Sequence, residues 1–362
     1  MQNVITRWIN KYLSDPEAII LGLLLIIGFG IVIFIGDMLA PLLISIVLAY
    51  FLEGLVKMLE KRNISRISAV LLTYIPSLIF MAFLLLAVLP MLLNQITQLA
   101  QTLPDMISKG QDSLFKLPEL YPDFVSEQQI AQLLATIKTS VGSFAQNLLS
   151  ISLSSMAVIF TVLIYLILIP VLIFFLLKDK EEIIEWFQGL LPQERKVATQ
   201  VWHEMDQQIG NYVRGKFLEV FVVGVVTYIT FAIMGLNFAA LLAALVGLSV
   251  IIPYIGAVAV TFPVILIAYF QWGWGPELAY LVTAYLVIQA LDGNVLVPLL
   301  FSEAVNLHPI AIIVAVLFFG GIWGVWGVFF AIPLATLVKA VIDAWPRTDI
   351  EIKNEERSDS KL

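Results

Sequence analysis

The chain has 362 residues, 60% of them hydrophobic and 13% charged, where a soluble domain carries about 25% charge. Mean hydropathy is +0.96, which excludes an ordinary cytosolic enzyme and indicates a polytopic membrane protein. The absence of cysteine excludes disulfides, thiolate metal sites and cysteine nucleophiles. Two histidines, His203 and His308, cannot build a histidine-rich metal cluster, and a net charge of −7 gives nucleic acid no electrostatic footing.

Taken in chain order, the first apolar run is Ala18–Gly36. It lacks a small-residue cleavage pattern, so it is expected to remain as the first span. Asp37 breaks the run, and Met38–Val56 follows as the second. Ile67–Leu93 is the third, with Pro76 and Pro90 as expected kinks. An insert over Asn94–Ser150 carries Lys109, Lys116 and Lys138 against more acids. Pro104, Pro118 and Pro122 divide it into helical pieces, and Glu127–Leu149 is amphipathic. The fourth span is Ile151–Leu177. The connector Lys178–Lys216 holds Trp186, Phe187 and Trp202 among charges, as an interfacial helix pair does. Phe217–Met234 is the fifth span, and the blocks Phe238–Phe270, Pro276–Leu300 and Pro309–Val341 complete the set.

The expected fold is therefore an all-α polytopic membrane protein with seven or eight hydrophobic segments and a helical extramembrane insert. Lys57, Lys61, Arg62 and Arg66 place the loop after the second span in the cytoplasm, the insert outside, the connector inside, and both termini inside. In domain terms, residues 1–93 hold spans one to three and 94–150 the extracytoplasmic insert. Residues 151–177 form span four, 178–216 the cytoplasmic helices, and 217–345 a transport core. The tail, 346–362, is expected to be disordered.

Two blocks are too long for a plain crossing: each of 238–270 and 309–341 would make a rod of about 50 Å. Pro253-Tyr254-Ile255-Gly256 interrupts the first near its middle, and Gly320, Gly321, Gly324 and Gly327 interrupt the second. Each is either one tilted, broken helix or a re-entrant hairpin. Non-helical backbone at membrane depth is tolerated where it lines a cavity or is buried in protein. Paired breaks point to a transporter binding site.

Asp292 lies inside an apolar block together with Gln289 and Asn294, while Gly293 and Pro298 loosen the local helix. A charge near the bilayer centre costs about 3 kcal/mol or more on insertion scales, so it is a functional candidate by default. The alternative is a buried polar cluster that joins helices. Arg214 and Lys216 read as snorkelling interfacial anchors. Lys216 could instead pair with Glu219 three residues on, and Glu219 could accept a proton or cation. Ala239, Ala243 and Gly247 form a small-residue packing ladder. His308 is either a helix cap or a proton relay. No HExxH, GxSxG, P-loop or dinucleotide fingerprint is present. Neither an enzyme, a cofactor nor a bound metal is expected.

These runs also carry a resemblance. Tyr212-Val-Arg-Gly-Lys-Phe217, Ile252-Pro-Tyr-Ile-Gly256, Asp292-Gly-Asn-Val-Leu-Val-Pro298, Leu307-His-Pro309, the glycine-tryptophan run from Gly320 to Gly327, and Pro333 occur in that order. With Phe174-Phe-Leu-Leu-Lys-Asp179, Pro41 and Ala49-Tyr50, the chain resembles the autoinducer-2 exporter-like family of permeases over about residues 18–345. The resemblance implies a bacterial-type inner-membrane protein that forms homo-oligomers. Arg214, Gly215, Pro253, Gly256, Gly293, Pro298, His308 and Pro309 match its signature positions. Family members are described as exporters of a quorum-sensing signal or as sodium or lithium/proton antiporters. The expected function is export of a small polar solute, by an ion-coupled or passive route. Alternatives are a monovalent cation/proton antiporter and a non-transporting membrane scaffold. Partners are then the lipid bilayer and a small polar solute or monovalent cation. The expected pathway residues are Asp292, Asn294, Gln289, Glu219, Arg214 and Tyr254. The expected gate comprises Pro253, Gly256, Gly293, Pro298, Gly320, Gly321, Gly324 and Gly327.

Overall fold

A computed structural model describes residues 16–114, isolated helical positions between 128 and 142, and residues 156–189, 196–301 and 307–344. Most of the outer insert, including much of Glu127–Leu149, and the tail from Trp345 lie outside the described residues. All regular structure among the described residues is helical: α1 (Pro16–Glu60), α2 (Arg66–Phe83), α3 (Leu89–Leu114), α4 (Met156–Lys178), α5 (Lys180–Gly189), α6 (Lys196–Ile233), α7 (Ala239–Ser249), α8 (Ile255–Trp272), α9 (Pro276–Leu291), α10 (Val297–Phe301), α11 (Pro309–Phe329) and α12 (Ala331–Ala344). Eight windows are long and apolar enough to cross a membrane. Helices suit that setting because each satisfies its own backbone polar groups. Large apolar side chains point outward, such as Phe34 at 89% exposure, as lipid-facing residues do.

Several expected boundaries dissolve into longer helices. Asp37 interrupts the hydropathy but not the helix, and α1 runs unbroken for 45 residues. Two antiparallel crossings need a turn between them, and α1 has none. A cytoplasmic N-terminus followed from those two crossings and loses that support. The third span likewise continues through Leu93 into the insert as α3, with Pro104 inside the helix. The connector's second helix continues into the fifth span as α6. In each case a helix carries on while side-chain polarity changes, because backbone hydrogen bonds do not depend on hydropathy.

Two π-helical turns widen the helices, at Leu84–Val88 and Asp292–Leu296. Each ends two residues before a proline, Pro90 and Pro298. Proline lacks an N–H and its ring crowds the carbonyl four residues back, so a wider preceding turn relieves the clash.

The chain divides into two compact units. The first comprises 1–73, 168–215 and 301–362. Within it Tyr212, 2% exposed, donates its hydroxyl to the Phe329 carbonyl at 2.9 Å and packs against the Phe301 ring. A side chain at Gly215 would strike that ring at 2.7 Å. The 309–341 block folds back on itself here. Gly324 takes φ 58° and ψ −135°. A Cβ at Gly327 would collide with the Phe319 carbonyl, and one at Gly320 would lie 2.7 Å from Val328. Only glycine permits so close a turn at these positions.

The second unit comprises 74–167 and 216–300. Its core is built from Phe231, Leu242, Val246, Val264, Leu281 and Tyr285, all fully buried. The 238–270 block is a hairpin, α7 and α8, joined through residues 250–254. Gln271 at the end of α8 closes its mouth. It donates to the Gly235 carbonyl at 2.8 Å and accepts from the Asn237 N–H at 2.7 Å. Gln95 of α3 accepts from Leu241 N at 2.8 Å. That satisfies one of the orphan donors at the start of α7. At its tip, Tyr254 holds φ 62°, and a Cβ at Gly256 would collide with the Ser249 carbonyl.

Candidate functional site

In the second unit, the middle of α6, the tip of the α7–α8 hairpin and the π turn after α9 share one electrostatic cluster. The approach of α6 to α7 depends on Gly224 and Gly247. A Cβ on Gly247 would come within 3.0 Å of Gly224 Cα and of the Val220 carbonyl. The small-residue ladder is thus a packing device, as its spacing predicts.

Lys216 and Glu219 lie one turn apart on α6. Lys216 Nζ is 2.6 Å from Glu219 Oε2 and donates to the Val250 carbonyl at 2.9 Å. Both residues are buried, with exposures of 5% and 2%. The snorkelling reading of Lys216 is therefore wrong. Its ammonium points inward to a carboxylate and to the carbonyl that the hairpin break leaves free. Asp292 opens the π turn, and its charge acts on both Lys216 and Glu219. Asp292 Oδ1 is buried without a hydrogen-bond partner among the described residues. Among the described residues the cluster thus sets two carboxylates against one ammonium. One turn before Asp292, Gln289 lies against the Tyr285 hydroxyl, which also meets Thr261 Oγ1 at 3.1 Å.

The chain's relatives can now be set beside this geometry. Residues 21–347 match the model of the AI-2E family transporters. PerM of Escherichia coli (strain K12) is 48% identical over 349 residues, 96% of this chain and 98% of PerM. YueF of Bacillus subtilis (strain 168) is 29% identical, covering 85% of this chain and 84% of its own. TqsA of Escherichia coli (strain K12), named as an AI-2 transport protein, is 26% identical over 90% of this chain and 91% of its own. The chain belongs to the AI-2E transporter family.

As an AI-2E family transporter it is a membrane-embedded permease, and the expected residues divide between its two units. Glu219, Tyr254, Pro253, Gly256, Gln289, Asp292, Gly293, Asn294 and Pro298 fall in the second unit. Arg214, His308, Gly320, Gly321, Gly324 and Gly327 fall in the first. Arg214 donates to Asn211 Oδ1 at 2.8 Å, and its stem fills the space beside Gly54. It is not part of the Lys216 cluster. Asn294 is exposed and donates to the Ala290 carbonyl at 2.8 Å. His308 caps α11, accepting from Ile310 N at 3.3 Å, the blander of its two readings. Gly293 faces open space.

The AI-2E transporter's first unit holds a second charge cluster, which no sequence motif marks. Glu53, 5% exposed, receives Arg66 at 3.0 Å and Lys180 at 3.2 Å. Arg66 also pairs with Glu60 at 3.2 Å and donates to the Leu177 carbonyl at 2.6 Å. Nearby in sequence, the Tyr50 hydroxyl donates to Asp206 at 2.7 Å. In the sequence Arg66 serves only as a topology signal. Glu53 carries a readable cue, being an acid inside an apolar run, and Lys216 carries another, its i,i+3 spacing from Glu219.

Proposed function

We propose that this chain exports a small polar solute, such as a quorum-sensing signal, across a bacterial inner membrane through the second unit. One observation carries the reading. A buried ammonium–carboxylate pair, Lys216 and Glu219, with the half-buried Asp292 beside it, meets a broken hairpin tip and a π turn inside otherwise apolar helices. Intramembrane ionisable groups are costly and mark solute or ion paths. Broken helices supply the free carbonyls and helix ends that hold polar ligands. In this reading Asp292 engages the solute or ion, with Gln289 and Asn294 beside it. TqsA, an AI-2 transport protein by name, supports the choice of solute class.

The hairpins enter and leave on one side. α7, with 11 residues, reaches about 16 Å, roughly half of a ~30 Å hydrocarbon core. The basic turn from Lys61 to Arg66 faces the cytoplasm, the 235–272 hairpin opens outside and the 309–344 hairpin opens inside. The cysteine-free background makes this directly testable. W272C should label with an impermeant thiol reagent from outside and not from inside. Labelling only from inside would overturn the assignment.

Export itself is tested by loading proteoliposomes with autoinducer-2 and following its efflux, with D292N as control. Efflux lost in the variant supports the reading, and equal efflux from protein-free vesicles removes it. A second reading, a monovalent cation/proton antiporter, is favoured by the excess carboxylate and by Asp292 Oδ1, which has no hydrogen-bond partner among the described residues. Proton flux under a pH gradient, with sodium, lithium and potassium added in turn, decides between them. Cation-dependent flux that D292N loses would establish the antiporter.

A further inference from the structure

Tyr254, at the tip of the α7–α8 hairpin, holds a backbone conformation that tyrosine seldom takes. Its φ and ψ are 62° and −50°, and the Ile255 N–H donates to the Pro253 carbonyl at 2.7 Å. That closes a three-residue γ-turn of the rare, strained hand. Glycine would fill the position without the steric cost of a Cβ. Such strain persists only where the surrounding fold imposes it, and it collects at ligand-binding sites. Here the fold imposes it from both sides. Val250 is packed into the core and Gly247 backs onto Gly224, while Gly256 is buried against the Ser249 carbonyl. The tip is thus a fixed platform, and Tyr254 is displayed from it at 57% exposure.

The surroundings of the tip follow from its depth. In the re-entrant topology proposed above, α7 carries the tip about halfway into the hydrocarbon core. Irregular backbone at that depth is tolerated only when it is buried in protein or faces a water-filled cavity. Within its own unit this turn is not buried: Ile252, Tyr254 and Ile255 are 36%, 57% and 49% exposed. Tyrosine also suits a setting where its ring meets apolar groups and its hydroxyl is wet.

We propose that Tyr254 lines a water-filled solute path and touches the solute. Its ring stacks on the C–H face of a neutral, hydroxyl-bearing solute, and its phenol hydrogen-bonds to that solute's hydroxyls. This role rests on the export reading and deepens it by naming the solute class. A bare monovalent cation offers neither a C–H face nor a hydroxyl.

The test reads solute contact without transport. I255C is introduced into the full-length, cysteine-free chain, where it leaves Tyr254 in place. The protein is reconstituted in vesicles and exposed on both faces to a permanently charged reagent, 2-(trimethylammonium)ethyl methanethiosulfonate. I255C should label, and autoinducer-2 should slow that labelling several-fold. Labelling of W274C, at a position 88% exposed, should not change with autoinducer-2. Protection of I255C should weaken in the Y254F background and vanish in Y254A, while labelling without solute stays the same. If Y254A does not fold, Y254G should show the same loss of protection. Labelling only by an uncharged maleimide would put the turn in lipid, and labelling by neither reagent would put it under protein; either result overturns the proposal. Protection that survives the loss of the ring does so too. The strain has its own readout. Y254G should unfold a few degrees above Y254A, because both lose the ring and only glycine relaxes the turn. Equal unfolding temperatures would remove the strain from which the role is inferred. Efflux by the parent chain is followed alongside. Efflux without protection overturns this proposal alone, and a chain that shows neither loses the export reading as well.

Discussion

Glu53 and Glu219 are both buried carboxylates on long apolar helices, at 5% and 2% exposure, yet their settings are opposite. Glu53 has Arg66 and Lys180 both within 3.2 Å, and with Glu60 also on Arg66 the charges there are matched, two against two. Glu219 shares one ammonium with Asp292, whose Oδ1 has no hydrogen-bond partner among the described residues. Matched charge locks a carboxylate, and a shortage of cations leaves a group able to take up a further positive charge. The same residue type thus serves as a fastener in one unit and as a candidate exchange point in the other.

The sharpest way to break that contrast is to remove each acid. E53A should cost roughly 3 kcal/mol, because it leaves the cations without their buried partner. It should appear as a large drop in thermal stability in detergent. D292N should change thermal stability little while transport falls to the protein-free level. If D292N unfolds the chain, or E53A loses transport at full stability, the contrast fails.

Next in size are the two hairpin turns. G256A and G327A each place a Cβ against a carbonyl, of Ser249 and Phe319 respectively, and overpacking of this kind costs about 1–3 kcal/mol. Both should lower the unfolding temperature. A stability change near zero in either would mean that the turn relaxes freely.

Smaller still is Y50F, which deletes the 2.7 Å bond to Asp206 and should cost about 1 kcal/mol. N294A should have the least effect, under about 0.5 kcal/mol. Its exposed amide is already committed to the Ala290 carbonyl. Transport reduced as severely as in D292N would instead place Asn294 at the centre of the pathway.

Part of this site is legible in the amino-acid sequence. Asp292 stands out because a charge in an apolar run is costly wherever the chain places it. The break at 253–256 and the glycines from 320 to 327 stand out because proline and glycine act on the local backbone. Arg214 and Lys216 are harder to tell apart, because two basic residues two positions apart look equivalent in sequence. One fills a space beside Gly54, while the other is drawn in by Glu219 and Val250. Gly54 and Val250 are both distant in sequence, so no local pattern encodes either contact.

Amino-acid order alone makes this a helical membrane protein, sets where its apolar segments lie, and marks where two of them break. Those properties follow from transfer free energy and backbone freedom, which act residue by residue. That α1 runs on through Asp37, that Gln271 closes one hairpin, and that Lys216 faces a carboxylate and a hairpin tip emerge first in the folded chain. Each of these depends on continuous backbone geometry or on groups that meet from separate helices. Neither is set by the composition of any one segment.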